Sequence, residues 1–177
     1  MIRRQKQVEW TRVLAPEDRR YLSERIRQDR WYPMAAFERL GNAILREIAH
    51  GDLVLVRMWG RYQVDEQRQM YTSLIAEGDP VETLFRFRVL RATFFDFEAL
   101  TVPLIHEDEA HMIIRYHMGK SAEEAASYQT MGFFERLLEL SGATTVSAKF
   151  LSRSWAGDEE TRLELQWLMG IGPRRPS

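Results

Sequence analysis

Hydrophobic residues in the first half of the chain recur at helical spacing. Between Pro33 and Ala49 they return every three or four positions, as a helix with one buried face requires. Further helices are predicted from Pro16, from Leu53 to Ala76 with an interruption near Gly60, and from Pro80 to Phe94. The first half of the chain is therefore predicted to be helical.

The pattern changes to period two near residue 95. Apolar and polar residues alternate over 95–101, and residues 111–116 are suited to the returning strand. The polar residues 106–109 between them predict a turn, and hence a first hairpin. A helix over Ala122–Leu140 then follows.

The clearest strand signal lies near the C-terminus. Apolar and polar residues alternate within Val146–Ala156 and within Thr161–Trp167 on both sides of a turn. This predicts an antiparallel hairpin with one wet face, and it places Phe150, Leu165 and Trp167 inward.

Together these elements predict an α+β fold with a helical N-terminal half. A small, mostly antiparallel sheet of two hairpins follows, with a helix between the hairpins. We expect one domain over residues 16–168, a flexible basic N-terminus over 1–15 and a flexible tail over 169–177.

Composition narrows the classes of function. The formal net charge of −1 argues against binding of bulk nucleic acid, and the absence of cysteine excludes thiolate chemistry, thiolate metal sites and disulfides. No stretch has the character of a signal peptide or a membrane span, so a cytoplasmic protein that does not bind membranes is expected.

Metal ligands and catalytic motifs are weakly represented. His106, His111 and His117 flank the acidic run 107–109, but His111 and His117 would lie some 20 Å apart along one strand. We therefore expect no metal site. The sequence has no phosphate-binding loop or nucleophile elbow, so no catalytic residues and no enzymatic activity are predicted.

Three arginines alternate with phenylalanines in the fourth predicted helix. Arg86, Arg88 and Arg91 predict a solvated face over an aromatic core, although they leave a DNA-associated regulator as an alternative. An enzyme whose site is not recognisable from the sequence is the other alternative.

Several segments carry a resemblance to a known family. They are Met58-Trp59-Gly60-Arg61-Tyr62, Tyr71-Thr72-Ser73-Leu74 and Gly132-Phe133-Phe134-Glu135-Arg136-Leu137-Leu138 with Ser141-Gly142-Ala143. With the order of elements, they resemble the haem–nitric oxide/oxygen binding (H-NOX) domain and the related V4R and transport-particle-like domains. The chain also resembles a haem-less group of small myxobacterial proteins. The likeness covers about Trp31 to Trp167 and implies a bacterial sensor fold.

The departures from the H-NOX pattern concern haem. In the haem binders the helix before the first hairpin supplies a histidine to the iron, and the matching stretch Leu84–Phe95 has none. Their Tyr-x-Ser-x-Arg clamp corresponds to Tyr116, Met118 and Lys120, where lysine offers a point charge instead of a planar fork. No haem and no other cofactor is therefore expected.

The resemblance implies a haem-less ligand-sensing or protein-interaction module with a pocket between the helical half and the sheet. The residues expected around that pocket are Phe85, Phe94, Phe97, Tyr116 and Lys120. A protein partner or a small apolar ligand would suit it.

A two-fold homodimer is also expected. It would form through the aromatic residues Trp10, Tyr21, Trp31 and Tyr32, unless that segment folds back within one chain.

Overall fold

The described residues form five α-helices, four of which precede the first strand. The structure is a computed structural model, and it describes residues 6–27, 29–66, 69 and 72–169. The helices are α1 (Trp10–Val13), α2 (Met34–Glu47), α3 (Leu53–Glu66), α4 (Pro80–Leu90) and α5 (Lys120–Leu140). Short 3-10 turns occupy Pro16–Leu22, Arg91–Thr93 and Ser154–Ala156.

Four antiparallel strands form one sheet in the order β1-β2-β4-β3. They are β1 (Leu100–Ile105), β2 (Glu109–Ile114), β3 (Ala143–Ser152) and β4 (Thr161–Met169). The two hairpins meet where β2 pairs with β4, and α5 connects them. The predicted α+β fold, with two hairpins and a helix between them, is confirmed.

The main core lies between the sheet and α5. Side chains alternate on each strand, so Met112 of β2 and Leu163 and Leu165 of β4 are fully buried on the inner face. Phe134 and Leu137 of α5 are buried against them. Helix α3 packs along α5, which thereby lies between α3 and the sheet.

Local capping residues begin and end several helices, although the helix predicted from Pro16 is a 3-10 turn and the one predicted to reach Phe94 ends at Leu90. Asp79 caps α4 by accepting a hydrogen bond from the Glu82 backbone N–H at 2.8 Å, and Pro80 is the first helical residue. The Asp52 carboxylate accepts from the Val54 N–H at 2.8 Å at the start of α3. Gly51, with φ of +80°, turns the chain after α2.

The predicted extent of α3 is wrong. The helix ends at Glu66 instead of Ala76, and Leu74 is buried in a turn segment before α4. The predicted interruption near Gly60 does not occur either. A Cβ on Gly60 would lie 1.9 Å from the Gln129 carbonyl oxygen, so this glycine permits close packing on α5 without breaking the helix.

The first strand begins five residues later than the alternation indicated. Residues 95–99 are irregular, and β1 runs over Leu100–Ile105. The alternating Phe95 and Phe97 contact each other with ring centroids 5.7 Å apart. The period-two pattern over these residues thus arises from aromatic packing in a loop and not from a β-strand.

The N-terminal segment folds onto α2. Trp10 is buried against Leu14 and Ala43, although it lies within the stretch expected to be flexible. Asp18, which is 1% exposed, accepts two hydrogen bonds from the Arg39 guanidinium at 2.6 and 2.8 Å. The expected tail lies outside the described residues from position 170 onward, and the domain boundaries stay a prediction.

Within the described part of the chain, no helix combines the length and apolar character that a membrane-spanning segment needs.

Candidate functional site

A cavity of about 650 Å³ opens between the segment around the start of α2, helix α5 and the loop before β1. Aromatic side chains dominate its lining. They are Trp31, Tyr32, Phe37, Phe87, Phe94, Phe95, Phe97, Tyr116, Phe133 and Phe134. A concave, mostly apolar space of this size is typical of small-molecule sites.

Two pairs of polar side chains in the cavity wall are hydrogen-bonded within the protein. The Tyr116 hydroxyl lies 2.5 Å from the Thr130 hydroxyl, and the Gln129 side-chain amide donates to Gln63 at 3.0 Å. Burial raises the pKa of the Tyr116 phenol well above its usual range, so this side chain remains a neutral phenol. Tyr116 therefore presents no charge to the cavity, and the charged residues of the lining, Arg27, Asp29, Arg30 and Asp96, are all exposed.

Large apolar residues are exposed at the cavity mouth. Ile26, Trp31 and Phe37 line the cavity and are 54%, 57% and 48% exposed. Arg27, also in the lining, is held by Asp29 through hydrogen bonds of 2.6 and 3.0 Å. A ligand that enters would cover apolar rim surface that solvent now contacts.

The structure brings three of the five predicted pocket residues together. Phe94, Phe97 and Tyr116 line the cavity. Phe85 does not; it is 37% exposed on α4, with the Arg88 guanidinium 4.7 Å from its ring centroid. Lys120 is exposed at the start of α5 and is also outside the lining.

Glu123 fixes the loop that carries Tyr116. Its carboxylate accepts hydrogen bonds from the backbone N–H of Tyr116 at 3.1 Å and of Met118 at 3.0 Å. The residue between them, His117, has φ of +57°, a conformation that L residues seldom adopt. Glu123 is 6% exposed, so it is a buried anchor for this loop.

The sequence alone did not identify the contribution of the residues just before α2 and of its first turn. Trp31, Tyr32, Met34 and Phe37 all line the cavity. The available signal was a Trp-Tyr-Pro interruption and the apolar face of an amphipathic helix, on which Phe37 was expected to be buried, whereas it is 48% exposed. Neither pattern distinguishes a cavity rim from an interface.

The arginines of α4 have partners on their own element or the adjoining loop. Arg86 bonds Glu82 at 2.8 Å, and Arg91 lies 3.5 Å from Glu98. Arg88 covers the Phe85 ring. These contacts fit the predicted solvated face and add no support for DNA binding.

The three histidines considered as metal ligands are separated. His106 is exposed in the β1–β2 turn and His117 follows β2, whereas His111 lies on the outer face of the sheet. There His111 meets Glu109 and Glu164, and the candidate ligand atoms of the three all lie within 4.8 Å of one another. Glu164 is not recognisable from the sequence as a member of this group, because β4 lies far from β2 along the chain.

The cavity and its surroundings occur in an α+β domain with an H-NOX-like fold. No family model and no curated protein sequence matches the chain. Solved H-NOX structures do match it in three dimensions with probability 1.00.

Three of these structures define the likeness. One, from work on haem distortion in the H-NOX family, has a TM-score of 0.62 and 11% identity, and the match covers 99% of this chain and 95% of that one. A point mutant of the T. tengcongensis H-NOX has a TM-score of 0.60 and 14% identity, and the match covers 97% of this chain and 95% of that one. The unliganded Fe(II) H-NOX protein from K. algicida has a TM-score of 0.55 and 13% identity, and the match covers 82% of this chain and 78% of that one. Identities this low show the fold alone.

The cavity lining does not fit a haem held through histidine or cysteine. Haem iron takes a histidine, thiolate, methionine or tyrosine as its axial ligand. The described lining has no histidine or cysteine, and α4 and its following turn contain no histidine. The Tyr116 oxygen is occupied by Thr130, and its raised pKa opposes phenolate formation.

Proposed function

We propose that this protein is a haem-free, non-enzymatic sensing module that binds a small apolar ligand in the aromatic cavity. The observation that carries the proposal is the 650 Å³ cavity itself, with its aromatic lining and exposed apolar rim. Its volume lies inside the range of drug-sized ligand sites, about 300–1,000 Å³.

The chemistry of the lining favours an uncharged, aromatic or aliphatic ligand. Polar groups in the wall, such as Tyr116 and Gln129, are paired with protein partners, so an ionic ligand would leave its charge poorly solvated. Arg27 and Arg30 lie at the exposed mouth, where a polar end of the ligand could reach water.

A sensing mechanism follows from the two sides of the cavity. Residues within 26–27 and 29–37 supply one side, and α5 with the loop before β1 supplies the other. A ligand that contacts both sides stabilises arrangements in which they are close, and so shifts the population of conformations. The rim residue Trp31 would report this change through its fluorescence.

The same lining supports a non-enzymatic role. Among the described residues that form it there is no histidine, cysteine or lysine. Of its two carboxylates, Asp29 is paired with Arg27 and Asp96 is exposed to solvent. This set therefore offers no histidine that could activate a hydroxyl nucleophile, the commonest arrangement in covalent catalysis.

Ligand binding is tested with a cavity-filling variant and a matched control. Ala126 lines the cavity from α5, whereas Ala35 is exposed on α2 outside the lining. We expect a neutral apolar fluorescent probe, N-phenylnaphthylamine, to bind the wild type and Ala35→Trp and to lose at least tenfold in affinity for Ala126→Trp. Equal binding by both variants, with unchanged circular dichroism, would reject the site.

Absence of haem is tested separately. We expect the protein to purify without colour and to show no stoichiometric Soret band after incubation with haemin, because the described lining has no histidine or cysteine to bind the iron. A one-to-one haem complex with iron at equal stoichiometry would contradict the haem-free assignment while leaving a ligand-binding cavity intact.

A further inference from the structure

The outer face of the sheet carries a histidine between two carboxylates, away from the aromatic cavity. Glu109 and His111 lie two residues apart on β2, so both side chains point to the same face. Glu164 of β4 is the direct cross-strand partner of His111. We propose that Glu109, His111 and Glu164 form a binding site for one divalent transition metal ion of the Zn²⁺ class.

The distances suit one metal ion. His111 Nε2 lies 2.8 Å from Glu109 Oε1 and 3.7 Å from Glu164 Oε2. Zinc ligands lie about 2.0–2.2 Å from the ion, so ligands of a tetrahedral site are about 3.4 Å apart. The two observed separations bracket this value, and small side-chain rotations would accommodate the ion without moving the strands.

The donor set selects the metal class. One imidazole nitrogen with two carboxylate oxygens matches the three-ligand arrangement that zinc adopts when a water molecule completes its coordination. Imidazole favours a first-row transition metal over Mg²⁺ or Ca²⁺, which prefer oxygen ligands throughout.

Lys149 holds one of the ligands in place. It is the cross-strand partner of Glu164 on β3, and its Nζ lies 2.7 Å from Glu164 Oε1. This bond leaves Oε2 directed toward His111, so the lysine orients the carboxylate without occupying the atom that the metal would take.

The charges also favour a cation at this position. Two carboxylates face a single lysine, and the Glu164 side chain is only 11% exposed. With the lysine the cluster keeps one net negative charge, which a bound divalent ion would offset, and the burial of Glu164 strengthens that attraction. Because the ligands come from paired strands, little conformational entropy opposes binding.

The test is a Zn²⁺ titration by competition with a chromophoric chelator, using the whole chain. We expect one equivalent to bind the wild type, and His111→Ala and Glu164→Gln each to lose at least about tenfold in affinity. His106→Ala is the matched control, since His106 is exposed in the adjoining turn outside the cluster. It should bind as the wild type does.

A second measurement guards against variants that fold poorly. Zn²⁺ should raise the thermal midpoint of the wild type and of His106→Ala, but not that of His111→Ala. Absence of stoichiometric binding to the wild type, or equal weakening by His106→Ala and His111→Ala, would overturn the proposal. Equal stabilisation of all three proteins by Zn²⁺ would do so too.

Discussion

Two glycines at the crossing of α3 and α5 illustrate how single residues position this fold. A Cβ on Gly132 would lie 1.9 Å from the Arg57 carbonyl oxygen, and Gly60 makes the reciprocal approach to Gln129. Because both obstacles are backbone atoms, neither can move aside cheaply. The helix that carries part of the cavity wall is thus held at a separation that only glycine allows.

Substitution of Gly132 tests this packing. We expect Gly132→Ala to lower the free energy of unfolding by about 3 kcal/mol, because the added methyl group forces the helices apart. Gly41→Ala on α2 is the control, since nothing lies within 4 Å of its Cβ position. It should raise stability by about 0.5–1 kcal/mol. Urea denaturation measures both, and similar values for the two variants would contradict the close crossing.

Glu123 offers a second test at the scale of one residue. Glu123→Ala removes the acceptor of the Tyr116 and Met118 backbone N–H groups, and we expect a loss of about 2–3 kcal/mol in stability. The adjacent Glu124→Ala, at a half-buried position, should change stability by less than about 0.5 kcal/mol. Thermal or urea unfolding distinguishes an anchoring role from a general effect of acids at the helix start, which would make the two variants alike.

At the scale of elements, the C-terminal hairpin was predictable because its signal is local. Both strands alternate, and the pairing of β3 with β4 brings Phe150 opposite Leu163. Leu165 and Trp167 are buried as expected, while Phe150 is half-buried and packs on Tyr128 with ring centroids 5.2 Å apart. The hairpin completes the sheet on which α5 rests.

Substitution of Trp167 tests how much this hairpin contributes to the stability of the core. It is 2% exposed, so Trp167→Ala should cost about 3–5 kcal/mol in unfolding free energy. Leu168, the next residue on β4, is 60% exposed, and Leu168→Ala should have little effect. A thermal melt of Trp167→Ala that matches the wild type would show that its ring does not support the core.

The first hairpin was less predictable because its first strand contains a proline and pairs with an irregular register. Pro103 lies within β1, which is tolerated because β1 is an edge strand and needs no further hydrogen-bond partner on its open side. The register between β1 and β2 shifts between Thr101 and Leu104. Sequence alternation over 95–101 instead reflects aromatic packing at the cavity.

At the scale of the whole molecule, the oligomeric state remains a prediction. Trp10 and Tyr21 are buried within one chain, which leaves Trp31 as the most exposed aromatic residue of the predicted dimer surface. Tyr32 packs against Tyr21 with ring centroids 6.0 Å apart. The fold-back alternative thus accounts for part of the aromatic set without a partner.

Light scattering across a range of concentrations decides between a two-fold dimer and a monomer whose N-terminal segment folds back on its own chain. We still expect a dimer, since Trp31 and the neighbouring Ile26 and Phe37 leave apolar surface uncovered. Trp31→Ser should shift the equilibrium toward the monomer. Val89→Ser should not, because Val89 is exposed but does not line this cavity. A monomer mass for the wild type at tens of micromolar would reject the dimer.

The sequence by itself determined most helices, their starts and the C-terminal hairpin, because periodicity and capping depend on neighbouring residues. It also indicated Phe94, Phe97 and Tyr116 as residues near a pocket, through the family resemblance. Only the tertiary structure showed which residues from distant segments of the chain are in contact. Gly60 permits a helix contact instead of ending a helix, and Glu164 joins His111 because β4 pairs with β2. Such contacts leave no local pattern, since each depends on a backbone approach between residues far apart in the chain.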